Sequence, residues 1–414
     1  DALLVHQQYG AVGSGVTTLS VKQIRNQYYD TKYWYNQSSV GLYETKLSYL
    51  QQIENYFIDD SSSKGFTTIL NTMFNSLDTL KNNASDVNTR QQFIGSAQNL
   101  ATYFNSVSEG LTDIQKGTND EIKSTVQNIN AIAEKIAVLN KQINVIEIQG
   151  GYANELRDQR ALLIDELSEI VPTEVSEVPI TDTNHPDEPT GANYYTVKIG
   201  GQVLVDTYNY ETLECKAREY KVNQTDAAGL YDIKWSKTGN TFNAGGSSMS
   251  GTLKALFDIR DGNNGENFSG LAKVLNSTEV QITNPSITSI VGVSMPEEGI
   301  LTINGREYAY EGFTFEQDAD GNITSYTFNM KRALTAEEQA RVDGRTASVG
   351  TSIDAMGIPY YMSQMNQFLR SFATEFNNIL KKGVDLDGNS TSGYAFFTGT
   401  DTVTGEEFSF DGKD

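Results

Sequence analysis

Phe93, Ala97, Leu100, Phe104, Val107, Leu111 and Ile114 recur at alternating spacings of four and three. A strand alternates with period two, so this rhythm belongs to a helix that meets another helix along one face, over three heptads. The phase slips after Gly117, and Ile122, Val126, Ile129, Ala133, Ile136, Asn140 and Ile143 then resume it. A flanking row of Ile132, Leu139 and Ile146 widens the apolar stripe, so this half is expected to pack against more than one neighbour. Unbroken from 91 to 149, the helix would be about 88 Å long at ~1.5 Å per residue. Gly150-Gly151 stops it. Ordinary helices run about 8–20 residues, so the length favours a helical rod over a compact helical domain.

The rest of the chain arranges itself around that stripe. Residues 1–20, with Gly10, Gly13 and Gly15, read as an extended lead-in. From 21 to 171 proline is absent and Gln, Asn, Leu, Ile and Ala dominate. Leu47, Leu50, Ile53 and Phe57 mark one short helical pattern, and Ile69, Met73, Phe74, Leu77 and Leu80 mark a second. A further helix over 154–171 carries Leu156, Leu163, Leu167 and Ile170 and ends at Pro172. Residues 172–250 read as β structure: 194–199 alternates, Gly200-Gly201 turns, and 202–205 returns. Small residues over 245–250 link to a short helix at 251–261. A second β segment over 279–330 predicts strands at 300–303, 307–310, 314–315 and 326–330, with turns at Asn304-Gly305 and Asp320-Gly321. Residues 335–344 are charged and helix-prone. The last helix spans 359–382 with proline in its first turn, and Tyr361, Met365, Phe368, Phe372, Phe376 and Ile379 keep heptad-like spacing.

Helices open and close the chain and strands sit between. The expected class is α+β, multi-domain, with an elongated helical body formed by both chain ends and β-rich domains inserted in it. The expected divisions are 1–171 (first part of the body), 172–250 (β-rich insert), 251–265 (short helical return), 266–355 (second β-rich module) and 356–414 (last part of the body with a C-terminal loop). A length of 414 residues allows two to four domains at roughly 100–200 residues each.

Composition excludes several functions. Thirty-one Lys and Arg against 53 Asp and Glu leave a formal charge of −22. A phosphate-binding surface must be cationic to release counterions, so nucleic acid and anionic membranes are not expected partners. Such a charge keeps copies apart in solution. A single cysteine, Cys215, permits no intrachain disulfide and no four-cysteine zinc site, and reads as a packed or half-buried thiol. No apolar run approaches the ~18 residues of a membrane-crossing helix. The start at Asp1 has no basic n-region and no Met, so the sequence is read as a fragment.

Leu156-Arg157-Asp158-Gln159-Arg160 is charge-rich. Arg157 and Arg160 share a helix face, and each is expected to reach a carboxylate on a neighbouring helix, as structural ion pairs or a subunit contact. Two Asp-rich turns, Asp318-Ala319-Asp320-Gly321-Asn322 and Asp385-Leu386-Asp387-Gly388-Asn389, place Gly at position 4 and lack the Glu at 12 of an EF-hand, so they read as tight turns. His6 and His185 are the only histidines, and neither has the setting of a catalytic imidazole. Gly10, Gly13 and Gly15 precede no strand–helix phosphate cradle. Trp34 with Tyr28, Tyr29, Tyr33 and Tyr35 forms an aromatic cluster, expected as core beneath the first helix, with a partner anchor as the alternative. No catalytic, cofactor-binding or metal-binding residue is assigned, and no enzyme is expected. A secreted glycoside hydrolase would need paired carboxylates, and the β segments offer no such pair.

Three stretches carry a resemblance. VTTLSVKQIRNQYYD (16–30), YETKLSYLQQIE (43–54) and above all ANELRDQRALLIDELSEI (153–170) resemble the flagellar hook-associated protein 1 family. GTLKALFDIRD (251–261) resembles that family's leucine- and arginine-bearing segment. MNQFLRSFATEFN (365–377), Asp385-Leu386-Asp387-Gly388 and Phe396-Phe397 resemble its C-terminal helix and following loop. The match covers roughly 1–171, 250–262 and 356–398, with 263–355 an added module. The resemblance implies a non-enzymatic structural subunit of the bacterial flagellum that joins hook to filament. It implies an extracellular location reached through the flagellar export channel without a cleaved signal peptide. Implied partners are the hook protein, the second hook-associated junction protein, copies of the chain in a ring, and an export chaperone acting through a C-terminal region outside this sequence. The family's terminal helices, which pair into an inner tube, have no counterpart here, so the expectation is the outer body of such a subunit, monomeric in solution. The alternative within the same assembly is a flagellin or another hook-associated protein.

Overall fold

The computed structural model describes residues 4–7, 10–13, 26–60, 63–181, 188–263, 268–293, 295–350, 355–400 and 405–410. The chain is α+β and multi-domain. Strands β1 (Leu4–Gln7) and β2 (Gly10–Gly13) form a hairpin, followed by helices α1 (Gln27–Asn55), α2 (Phe66–Asn82), α3 (Val87–Ile148) and α4 (Asn154–Ile170). Strands β3 (Thr173–Thr181), β4 (Pro189–Ile199), β5 (Gln202–Asp206), β6 (Asn209–Tyr210), β7 (Leu213–Ala217) and β8 (Tyr231–Trp235) come next, then helix α5 (Gly251–Asp261). Strands β9 (Ser269–Val274), β10 (Glu279–Thr283), β11 (Gly299–Ile303), β12 (Arg306–Gln317) and β13 (Ile323–Met330), helix α6 (Ala336–Val342), strand β14 (Thr346–Val349) and helix α7 (Ile358–Leu380) complete the main elements. Two short paired strands, β15 (Gly399–Thr400) and β16 (Glu407–Phe408), lie in the tail.

Helix α3 runs unbroken for 62 residues through Gly117. Its buried positions explain the phase slip. The heptad steps to Leu111 continue through Gln115, Thr118, Ile122 and Val126 before Ile129, Ala133, Ile136, Asn140 and Ile143. Steps of 3, 4 and 4 occur twice, from Phe104 to Gln115 and from Gln115 to Val126. Each is an eleven-residue repeat, which fits a nearly straight helix and lets the seam change register without a break. Gly150, at φ +83°, then ends the helix, and Gly151 N–H donates to the Ile146 carbonyl at 3.2 Å.

The chain divides into two compact units, the first comprising Asp1–Thr45, Lys123–Cys215 and Ile233–Ala255. Here α1 lies against α4: Trp34 Nε1 donates to Asp165 Oδ1 at 2.8 Å and Gln37 to Glu169 at 3.2 Å. Gly41 makes the closest approach, for a Cβ there would sit 2.2 Å from the Glu169 carbonyl oxygen. Leu139 and Ile143 of α3 pack with Ala153, Leu156 and Leu163. Strands β3, β4, β5 and β6 form an antiparallel sheet in that order, with Val197, Ile199, Leu204 and Val205 turned inward. The expected aromatic core under α1 is corrected: Trp34 alone is buried, and Tyr28, Tyr29, Tyr33 and Tyr35 are exposed. The buried face of α1 is the opposite one, set by Trp34, Ser38 and Gly41.

The second unit comprises Lys46–Ile122, Lys216–Asp232 and Leu256–Asp414. Here the front and back of the chain pair lengthwise. Phe93 stacks on Phe376 at 6.2 Å and Phe104 meets Phe368 at 5.9 Å, so α3 and α7 run antiparallel. Phe66 of α2 joins both Phe104 and Phe368, at 5.7 and 5.2 Å. The deepest positions of α7 include Met362, Met365, Ala373 and Asn377, whereas Ile379, expected in the seam, faces solvent. Asn377 holds the tail: its amide donates to the Phe397 and Ser409 carbonyls and accepts from the Phe396 and Phe397 N–H groups, at 2.8–2.9 Å.

Between α5 and α7 the chain builds a closed antiparallel barrel in the order β10, β13, β12, β11, β14, β9. Its core holds Phe268, Tyr310, Tyr326 and Phe328 with aliphatic side chains from β9, β10, β11, β13 and β14. Two strands expected at 307–310 and 314–315 are one, β12, kinked by an irregularity between Tyr310 and Phe313. Strands β9 and β14, which close the barrel, were not foreseen. The barrel enters and leaves at one point: Gly357 N–H donates to the Gly262 carbonyl at 3.0 Å, and Asn263 bridges Met356.

Candidate functional site

A helix as long as α3 offers its neighbours amide side chains as well as apolar ones. In the first unit Asn130 donates from Nδ2 to the Leu213 carbonyl and accepts from Leu213 N–H, both at 2.8 Å. Asn144 does the same to Asn193, at 2.9 and 3.0 Å, and also donates to Tyr208 Oη at 2.8 Å. Asn140, read from sequence as one step of an apolar seam, donates to the Thr207 carbonyl and accepts from Arg160 Nη1, both at 2.8 Å. Three asparagines thus grip backbone groups of the β segment that would otherwise be buried without partners.

Arg157 and Arg160 lie beside this row. Arg157 makes a two-pronged contact with Glu147 at 2.6 and 2.7 Å and a further one to Glu177 of β3 at 3.0 Å. Burial would raise the Glu147 carboxyl, but the Arg157 guanidinium outweighs it and holds the group below its ordinary range. Arg160 is buried, lies 3.5 Å from the Tyr195 ring centroid and reaches Glu177 at 3.4 Å. Arg157 thus meets a carboxylate on a neighbouring helix as expected, whereas the carboxylate that Arg160 reaches lies on edge strand β3 and not on a helix. These groups line a cleft of about 650 Å³ that also includes Asp30 and Gly191. Both guanidinium groups are spent on protein acceptors, so the cleft braces α3, α4 and β3 together.

The second unit holds a deeper polar cluster, centred on Arg260 in the arginine-bearing segment quoted above. Arg260 is fully buried. It donates to Asp261 through Nε and Nη2 at 2.9 and 2.7 Å, and through Nη1 to Asn119 Oδ1 and the Tyr231 carbonyl at 2.9 and 2.8 Å. Arg218 joins Asp261 at 2.9 Å and Asp232 at 2.6 Å. Burial would raise Asp261, yet the Arg218 and Arg260 charges overcome it and hold the carboxyl far below its usual value. Asp226 goes the other way, raised by burial and by the Asp261 charge, although Asn223 N–H and Gln115 Nε2 donate to it at 2.8 and 3.0 Å. Gln115 also accepts from Ala227 N–H, and Asn119 from Tyr231 N–H, both at 2.8 Å. Gln115, Thr118 and Asn119 are the polar residues placed where the α3 seam changes register. Their sequence signal was the interruption of the apolar rhythm, which alone did not reveal what they bind.

The remaining candidates are brought together with nothing catalytic. In each Asp-rich turn the leading carboxylate is satisfied by its own loop: Asp318 accepts from Asp320, Asn322 N–H and Asn322 Nδ2, and Asp385 accepts likewise from Asp387 and Asn389. Among the described residues no three His, Cys, Asp or Glu side chains converge as metal ligands. Cys215 is half-buried and forms no disulfide. His185 and the His6 side chain lie outside the described residues. No helix among the described residues is long and apolar enough to cross a membrane.

Comparison with known proteins points one way. Residues 50–283 match the family profile described as the flagellar hook-associated protein FlgK helical domain. The chain is similar to flagellar hook-associated protein 1 of Bacillus subtilis (strain 168), 37% identical over 167 residues, covering 40% of this chain and 33% of that protein. It is 36% identical over 174 residues to the protein of the same name from Salmonella typhimurium, covering 40% of this chain and 30% of the relative. The matched region thus spans about a third of the length of these relatives. A solved structure of the flagellar hook junction protein FlgK from Burkholderia pseudomallei aligns with 79% of this chain and 63% of that one, at 17% identity and a TM-score of 0.46.

Proposed function

The chain belongs to the flagellar hook-associated protein FlgK family, and from that premise we propose that it is a non-enzymatic structural subunit joining the flagellar hook to the filament. The observation that carries the reading is the family match over α3 and α4, the elements whose side chains do the bracing described above. The antiparallel pairing of α3 with α7, through Phe93 with Phe376 and Phe104 with Phe368, supports a part whose task is stiffness. The polar side chains at the two clusters are consumed by bonds within the protein, and that suits a structural role better than turnover.

The same reading gives the neighbours. They are the hook protein on one side, the second hook-associated junction protein on the other, copies of the chain around a ring, and an export chaperone. The location is extracellular, reached through the flagellar channel. Residues 1–171, 251–265 and 356–414 supply the helical body, and 172–250 and 266–355 are β-rich modules set into it. Catalytic, cofactor and metal sites have no part in this function.

Deletion of the gene in its source organism tests the reading. Hooks without attached filaments are expected, restored by the wild-type gene. Filaments that remain attached in the deletion strain overturn it.

A further inference from the structure

Polar contacts at two levels of α7 tie the barrel to that helix. The lower one is where the chain enters and leaves the barrel, at the hydrogen-bonded pair Gly262 and Gly357, directly before α7 begins at Ile358. The upper one is made by Arg370. Its Nη1 donates to the Ile290 carbonyl at 3.2 Å and to the Val293 carbonyl at 3.5 Å, in the barrel loop between β10 and β11. Its Nη2 donates to Gln224 Oε1 at 3.2 Å, in the loop between β7 and β8. Gln367, one turn earlier, lies beside the same barrel loop: a Cβ on Gly292 would stand 3.8 Å from Gln367 Nε2. Ile290 and Val293 themselves pack against the barrel core, so whatever holds this loop holds the barrel. Arg370 comes twelve residues after Ile358, which places the two levels about 18 Å apart at ~1.5 Å per residue.

Arg370 differs from the arginines of the two clusters. Arg157, Arg160, Arg218 and Arg260 each meet a carboxylate, whereas the acceptors of Arg370 are two carbonyls and an amide, all neutral. Burial without a counter-charge pulls its guanidinium below the ordinary arginine value. A half-buried cation on a long side chain could turn outward and recover its water. It stays because the planar fork reaches two loops at once, which a point charge cannot do. A single attachment at Gly262 and Gly357 would let the barrel turn about that spot, for both chain crossings lie side by side there. A second tie further along the same helix removes that freedom.

We infer that Arg370 is a positioning residue, a strap that fixes the tilt of the barrel on α7 by joining the β10–β11 loop and the β7–β8 loop to the helix. The barrel core contains no part of the strap, so the strap sets the barrel's direction and not its folding. This holds whatever the chain assembles with, and it is independent of the junction reading.

Pulsed electron spin resonance on the full chain tests it. The parent for labelling carries Cys215→Ser, with Ser106→Cys on α3 and Ala309→Cys on β12, two exposed positions of the same compact unit. With Arg370 in place one narrow distance distribution is expected between the labels. Arg370→Ala is expected to widen that distribution about twofold or more. Far- and near-ultraviolet circular dichroism and the unfolding transition should stay those of the parent. Arg370→Lys keeps the charge and the helix propensity but offers no fork, so the same widening is expected, and it serves if the alanine variant loses helix. A parent distribution that is already broad overturns the inference. So does a distribution that stays narrow in both variants, or a widening that comes only with loss of the helical signal in both, since that would make Arg370 a folding residue and not a strap.

Discussion

Asn130 and Leu213 face each other as a helix side chain and a strand backbone, joined by two hydrogen bonds of 2.8 Å in opposite senses. The amide presents a donor and an acceptor at the spacing of one peptide group. That match sets the first prediction. Asn130→Ala leaves a part-buried N–H and C=O unpaired, which costs about 1–3 kcal/mol. Asn130→Asp is expected to cost at least as much, because a carboxylate oxygen then faces the Leu213 carbonyl. Urea unfolding of the two variants measures the difference, and values within error of wild type would show that water replaces the amide freely.

The Arg218–Asp261–Arg260 cluster predicts an acid response. Asp261 is held below its unfolded value of ~3.9, so its contribution to stability is complete above that pH and fades as pH falls through the depressed folded value. Asp226 is raised, so it subtracts from stability at neutral pH and ceases to do so once protonated. Arg218→Met leaves the buried Asp261 with one guanidinium fewer, and a loss of about 3–5 kcal/mol is expected at pH 7. The variant should also show a shallower loss of stability below pH ~4, because less of the Asp261 depression remains to be titrated away. Unfolding free energies measured from neutral pH downward test both parts.

Gly41 sets a helix propensity against a steric limit. In a solvent-exposed helix, alanine would gain about 1 kcal/mol over glycine. Here the added methyl would meet the Glu169 carbonyl at 2.2 Å, and backbone of α4 must move to admit it. Gly41→Ala is therefore expected to lower the melting temperature despite its better propensity. An unchanged or raised Tm would mean that α1 and α4 separate at little cost.

The barrel is expected to behave as a detachable part. Its core is its own, and the chain crosses in and out between Gly262 and Gly357, which are hydrogen-bonded neighbours. Joining 262 to 357 directly should leave the helical circular dichroism of the remainder intact, and residues 263–356 alone should fold with a cooperative transition. Loss of the α3–α7 helical signal on excision would show that the barrel is needed for the helices to form.

Much of this was legible in the sequence, and the reason is periodicity. The α3 seam, the ends of α4 and α5, and the Gly200-Gly201 hairpin each follow from local patterns that few alternatives satisfy. The heptad rhythm also predicted that α3 would meet another helix along one face, and Phe93 on Phe376 shows that the last helix is one such partner. The failures share a cause as well. Tyr28, Tyr29, Tyr33 and Tyr35 looked like core because aromatic rings usually are, but facing depends on which side of α1 the small residues Ser38 and Gly41 open to α4. Asn140 passed for a seam position since burial, not polarity, governs the rhythm, and its partner is 67 residues away. The closing strands β9 and β14 are short and paired with distant sequence, so nothing local announces them. Arg157 and Arg160 were expected in ion pairs, and a helix face alone could not say that Glu177 of a strand would supply one of them.

Apart from one bond from Asn144 to Tyr208 Oη, Asn130, Asn140 and Asn144 hold the β segment through its peptide groups. Every amino acid except proline supplies the same N–H and C=O, so the grip is indifferent to what the outward side chains are. Substitutions can accumulate across the solvent face of that sheet, changing what an outside observer such as an antibody would meet, while the attachment to the helix stays as it was.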